Sequence, residues 1–174
     1  MSSGCTFWAS HAAPFSPPTA KGVTALIRMN GNRLKELDRF LFNLLDAILL
    51  ASGQRIREYG ENPPADAAIR KLSAVQSLLG MDFHALARLR ALMRIASALG
   101  RQPGEEAARQ LRADIRIASG QKDIGKAIDP RLFSESAILG ICEFYQTLGD
   151  NLVAALPAPG AIRAHSAPRK SRFA

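Results

Sequence analysis

From residue 32 onward, apolar side chains recur at spacings of three and four, the period of a helix with one buried face. Leu34, Leu37, Leu41, Leu44 and Ile48 set the first such run, from about Asn32 to Ala51, or to Tyr59 if the helix continues past Gly53. Phe40, Phe42, Leu45 and Leu49 widen its apolar arc until only Lys35, Arg39, Asn43 and Asp46 remain as a polar stripe. A helix so apolar is buried by several neighbours, so it is expected as the central helix or the seam of a dimer. Phe42, Leu45 and Leu49 exceed what one intramolecular core needs and are the expected partner interface.

Four more runs follow. Asn62-Pro63-Pro64 suits the start of a second helix, with a face of Ile69, Leu72, Val75 and Leu79 and a stop at Gly80. Asp82 is placed to cap a third, through Leu86, Leu89, Met93 and Ala96 to Gly100. The fourth begins near Pro103 or Gly104, with Glu105 and Glu106 at the positive end of its dipole, and stops at Gly120. Asp129-Pro130 opens the last, whose face is Phe133, Ala137, Ile141, Phe144, Tyr145, Leu148 and Leu152; Gly140 and Gly149 weaken it and invite a bend. Short connections favour antiparallel neighbours. The expected fold is all-α, an antiparallel bundle of about five helices over residues 29–156.

The flanks read differently. Residues 1–28 are rich in Ser, Pro and Ala, with Pro14, Pro17 and Pro18 opposing regular structure and only Val23 to Met29 suited to a brief strand or extended arm. They are expected to be a disordered basic flank, with Met29 as a plausible true translation start. Residues 157–174 open on Pro157-Ala158-Pro159-Gly160 and are expected to be a disordered basic tail.

Charge sharpens this division. The chain carries a net +8, yet Lys21, Arg28, Arg163, Arg169, Lys170 and Arg172 sit in flanks without a single acid, leaving +2 for residues 29–156. A basic tail can attract nucleic acid or an anionic membrane, and it is equally a common solubilising end. The tail's scattered apolar residues give no amphipathic anchor, so membrane association is not expected. Cys5 and Cys142 build no disulfide framework, which fits a reducing, cytoplasmic setting. Richness in Ala and preference for Arg over Lys fit a GC-rich bacterial coding sequence.

One segment is written twice. Leu89-Arg90-Ala91-Leu92-Met93-Arg94-Ile95-Ala96-Ser97 returns as Leu111-Arg112-Ala113-Asp114-Ile115-Arg116-Ile117-Ala118-Ser119, with two positions changed. Arg90, Arg94 and Ser97 are expected on a stripe roughly opposite Leu89, Met93 and Ala96, and the second copy repeats the pattern. In an antiparallel hairpin Arg90 would approach Arg116, and Arg94 would approach Arg112. Four guanidiniums on one surface could grip phosphates or an acidic partner, assisted by Arg169, Lys170 and Arg172. A solvated polar face explains the same stripe more plainly.

Other chemistry finds little support. The histidines, His11, His84 and His165, are scattered, and no Cys/His cluster or Glu-x-x-His pair occurs, so neither metal nor cofactor is expected. Cys142 reads as a small buried hydrophobe, while Asp46 and Glu143 read as solvent-facing. Gln121 to Ile128 resembles the first half of a helix-turn-helix, but the second half would aim Leu132 and Phe133 at DNA and bury Glu135. The sequence therefore points to a non-enzymatic adaptor or regulatory module acting through protein contacts or self-association. Nucleic-acid binding through the duplicated arginine face is the alternative.

Overall fold

The computed structural model describes residues 19–54, 64, 66–122, 124 and 129–156, and these form five α-helices with no strand among them. They are α1 (Ala20–Ala51), α2 (Ala67–Leu79), α3 (Leu86–Leu99), α4 (Glu105–Ser119) and α5 (Glu135–Ala154). The all-helical bundle anticipated from the apolar periodicity is present. No helix among the described residues is long and apolar enough to cross a membrane.

Helix α1 begins twelve residues before the start read from the sequence. Thr19 caps it, its side chain accepting from Gly22 N at 3.3 Å. Val23 to Met29, expected as an extended arm, is helical because Ile27 packs against the core and buried Asn30 donates from Nδ2 to the Arg131 carbonyl. The remainder of the N-terminal flank, residues 1–18, and the tail from residue 157 lie outside the described residues.

The starts of α2, α3 and α5 fall later than the sequence signals placed them, while α4 starts behind Gly104 as read. Asp66 stands at the N-cap of α2, two residues beyond the Asn-Pro-Pro signal. Asp82 does not cap α3. Its Oδ1 instead accepts from His84 N at 2.8 Å in a local turn, where His84 adopts φ 52°. Asp129-Pro130 does not open α5 either: Asp129 is taken by Arg131, and Ser134 caps the helix by accepting from Ala137 N at 3.2 Å. The stops were legible. Gly80 and Gly120 end α2 and α4 in left-handed backbone at φ 65° and 70°, where a side chain would be strained.

Leu41, Leu45 and Ile48 of α1, Leu72 and Val75 of α2, Leu92 and Ile95 of α3, Leu111 and Ile115 of α4, and Ile141 and Leu152 of α5 share one core. α3 and α4 run antiparallel, pairing Arg94 with Asp114 and Arg88 with Ala118. α5 runs alongside α1 in the same direction, from Asp38–Tyr145 to Phe40 and Leu44 beside Gly149. At Gly140, α5 crosses the end of α4 so closely that a β-carbon there would stand 2.3 Å from the Ser119 carbonyl oxygen. This glycine is required by the crossing.

Candidate functional site

The structure divides the four duplicated arginines. Successive helical positions lie roughly 100° apart, so the stripe of Arg90, Arg94 and Ser97 flanks Leu89, Met93 and Ala96 instead of opposing it. In α3 the buried residues are Leu89, Ala91, Leu92, Ile95 and Leu99, with Ala96 and Ser97 exposed. In α4 they are Leu111, Asp114, Ile115, Ala118 and Ser119. The same nine-residue pattern thus buries faces rotated by about one position, roughly 100°: Ile95 is fully buried while its counterpart Ile117 is 44% exposed.

Position 114, where the second copy replaces Leu with Asp, faces α3. Arg94 Nη2 donates to Asp114 Oδ1 at 2.6 Å and its Nε to both carboxylate oxygens at 3.0 and 3.1 Å, while Gln110 Nε2 adds a fourth bond at 3.2 Å. The bond to Asp114 raises the Arg94 pKa above its ordinary value. Arg94 is therefore neutralised within the fold. Arg112 and Arg116 each lie two positions from Asp114, roughly 200° around α4, on a different flank. Arg112 is half-buried against Ile124, Pro130 and Phe133; Arg116 is exposed and borders an open depression with Ile117, Gly120, Gln121 and Lys122. Arg90 is exposed on α3. No single four-arginine face exists. Arg169, Lys170 and Arg172 lie outside the described residues, as do most residues of the helix-turn-helix candidate; Gln121 and Lys122, within it, are not helical, and Glu135 is exposed.

The expected partner interface is also spent inside the fold. Leu45 is fully buried and Leu49 nearly so, in the chain's own core. Phe42 is half-buried with the Lys71 ammonium over its ring, 3.4 Å from the centroid. Lys71 itself is buried and bonds Asp46, so Asp46 is an internal ion-pair partner rather than a solvent-facing carboxylate. Burying a lysine is tolerated because carboxylate and aromatic face together replace its hydration. Cys142, expected to be buried, is exposed, whereas Glu143 is exposed as anticipated.

Two polar features escaped the pattern reading. Arg88, left out of the duplicated stripe, clamps three helices: Nε donates to the Ala118 carbonyl at 2.9 Å, Nη2 to the Gly140 carbonyl at 3.1 Å, and the guanidinium lies 4.4 Å from the Phe144 ring centroid. Burial lowers its pKa, partly offset by the nearby charge of Glu143. Asp38 accepts from the Tyr145 hydroxyl between α1 and α5. Burial raises the Asp38 pKa, with the Tyr145 bond opposing; burial and the adjacent carboxylate raise that of Tyr145. These groups hold elements together.

What faces solvent is different in kind. Phe40 is 59% exposed on α1, although its spacing suggested burial. With half-buried Leu44 and exposed Ala47 and Ala51 it forms an i, i+4, i+7, i+11 stripe, and exposed Leu50 lies beside that stripe. On α5, Gly149 lies against Phe40 and Leu44, and Val153, one turn later, is also exposed. No protein-family model matches the chain, and no curated protein or solved structure is detectably similar to it.

Proposed function

We propose that this chain is a helical adaptor or regulatory module that works through protein contacts made by the outer face of α1 and α5. The observation that carries the reading is the exposure of Phe40 beside Gly149, continued by Ala47, Leu50 and Val153. Isolated surface hydrophobes need no explanation, but clustered ones favour covering. An exposed aromatic side chain among smaller apolar neighbours offers a partner a protruding anchor of the kind in which interface energy concentrates. This replaces the inward-facing seam of Phe42, Leu45 and Leu49 with residues that remain accessible.

The test is loss of association without loss of fold. Full-length chain carrying Phe40→Glu and Val153→Glu should retain its helicity and melting behaviour. It should lose the self-association or partner cross-links that the wild-type chain shows by sedimentation velocity and cross-linking mass spectrometry. Retention of every such association by a folded double variant removes this face from the account.

A further inference from the structure

We infer that the outer flank of α4, with Lys122 just beyond it, binds the phosphate backbone of duplex nucleic acid without reading its sequence. Arg109, Arg112 and Arg116 fall at i, i+3 and i+7, on one flank of α4, and span about 10 Å along its axis. Lys122 follows the Gly120 turn and borders the same depression as Arg116. The acids of α4 leave the middle and end of this flank clear: Glu105 and Glu106 sit in the first turn, one turn before Arg109, and Asp114 is buried on Arg94. Among the described residues no carboxylate pairs with Arg112, Arg116 or Lys122, and Arg109 meets only Glu106, at 2.7 Å, with both groups largely exposed. Such a surface pair is worth little and yields readily to a phosphate.

Arg112 adds preorganisation. The residue is half-buried and lines a small cleft with Ile124, Pro130 and Phe133, so less side-chain freedom is lost when its planar fork meets an anion. The remaining arginines near the core are already committed: Arg88 to carbonyls, Arg94 to Asp114 and Arg131 to Asp129.

The surroundings select the polyanion. A membrane-surface helix needs an apolar face to insert, and Leu111, Ile115 and Ala118 of α4 are spent on the core. Single-stranded nucleic acid is held by exposed aromatic rings on which bases stack; Phe133, at the edge of this flank, is half-buried. A row of cations alone contacts phosphates and fixes position, which is the sequence-independent part of duplex recognition.

The experiment is fluorescence anisotropy of full-length protein with a labelled random-sequence 20-base-pair duplex, across salt, with poly-glutamate as a parallel probe. Three released phosphate contacts correspond to a log–log salt slope of about 2.7. Arg112→Gln/Arg116→Gln/Lys122→Gln should lower the slope by that amount. From 50 to 200 mM salt, wild type should then lose roughly 40-fold more affinity than the variant. Arg116→Gln/Lys122→Gln, which spares the half-buried Arg112, should lower the slope by about 1.8 and guards against a folding defect in the triple variant. Charge removal at Arg163, Arg169, Lys170 and Arg172 should leave the α4 contribution in place. Unchanged slope in both α4 variants, absence of duplex binding at 50 mM salt, or equal α4-dependent binding to poly-glutamate would each overturn the inference.

Discussion

Two glycines in α5 make a matched experiment. Both are buried in the same helix, and replacing either with alanine gains about 1 kcal/mol of helix propensity. Their surroundings differ. A β-carbon at Gly149 would meet Leu44 Cδ2 at 3.8 Å and Phe40 Cε1 at 3.9 Å, ordinary contacts. One at Gly140 would stand 2.3 Å from the Ser119 carbonyl oxygen and 3.2 Å from Gln121 Nε2. Relief at Gly140 requires α5 to move about 1 Å from the end of α4, since non-bonded atoms settle near 3.5 Å. Overpacking of this kind costs about 1–3 kcal/mol. The shift also lengthens the 3.1 Å bond from Arg88 Nη2 to the Gly140 carbonyl, a charge-assisted bond worth about 1.5–3 kcal/mol. After the propensity gain, Gly140→Ala should destabilise by about 2 kcal/mol, while Gly149→Ala should stabilise by about 1 kcal/mol. Urea unfolding followed by circular dichroism separates them, and thermal midpoints should move down by roughly 6–10 °C and up by roughly 3–5 °C. Shifts of the same sign and similar size would refute the close crossing of α4 and α5.

Further expectations concern the polar groups. Arg88→Met keeps the stem but removes both carbonyl bonds and the stacking on Phe144, and should cost about 2–3 kcal/mol in urea unfolding; a change under about 0.5 kcal/mol would deny the clamp. For Arg94 and Asp114, a double-mutant cycle with Arg94→Met and Asp114→Leu should give a coupling near 1 kcal/mol, discounted because Arg94 is 45% exposed; simple additivity would contradict a structural pair. Asp38 and Asp129 should titrate with opposite effects on stability. The folded state holds a proton on Asp38 more tightly than the unfolded chain, so stability falls as pH rises through the window above the ordinary Asp value. Asp38→Asn should remove that fall in pH-dependent urea midpoints. Asp129, held low chiefly by its hydrogen bond from Arg131, contributes stability above the unfolded carboxylate value that is lost as pH drops through its folded one. Asp129→Asn should accordingly flatten the acid limb, and an unaltered acid limb would count against the Asp129–Arg131 pair.

Periodicity carried much of the fold because it reports which side chains avoid water, and that is enough to identify helices. Leu34, Leu41, Leu72, Leu89, Ile115 and Tyr145 stand at core-facing positions of the repeat and are buried. Boundaries were harder. The start of α1 depends on Ile27 packing against the core and on Asn30 reaching Arg131, 101 residues away, which no local signal encodes. Asp66 and Ser134 displaced the proline-based starts because a cap is defined by where the chain turns, not by the first suitable residue. Surface assignment was hardest. Phe40 and Leu44 share a helical face and both lie near Gly149, yet Leu44 is half-buried and Phe40 is exposed. Lys71 looked polar and is buried; Cys142 looked apolar and is exposed. Each of those outcomes depends on what stands opposite.

The duplicated segment shows how little sequence is needed to change a face. Exchanging Leu92 for Asp114 takes a large apolar group out of the centre of the buried arc, and exchanging Met93 for Ile115 places a branched apolar group one position further along. A carboxylate cannot occupy the middle of a core without a cation, so it sits where Arg94 can reach it, at the α3–α4 boundary. The apolar arc then centres on Leu111, Ile115 and Ala118, which turns Ile117 outward and leaves Arg112 and Arg116 on the flank away from α3. The same acid that removes Arg94 from any surface role thus presents the second arginine pair. On this account Asp114→Leu should relax the rotation of α4 and bury Ile117 more fully, measurable as slowed amide exchange at residues 116–118. If exchange there is unchanged while the fold is retained, the rotation is fixed by the Ser119–Gly140 crossing instead of by the ion pair.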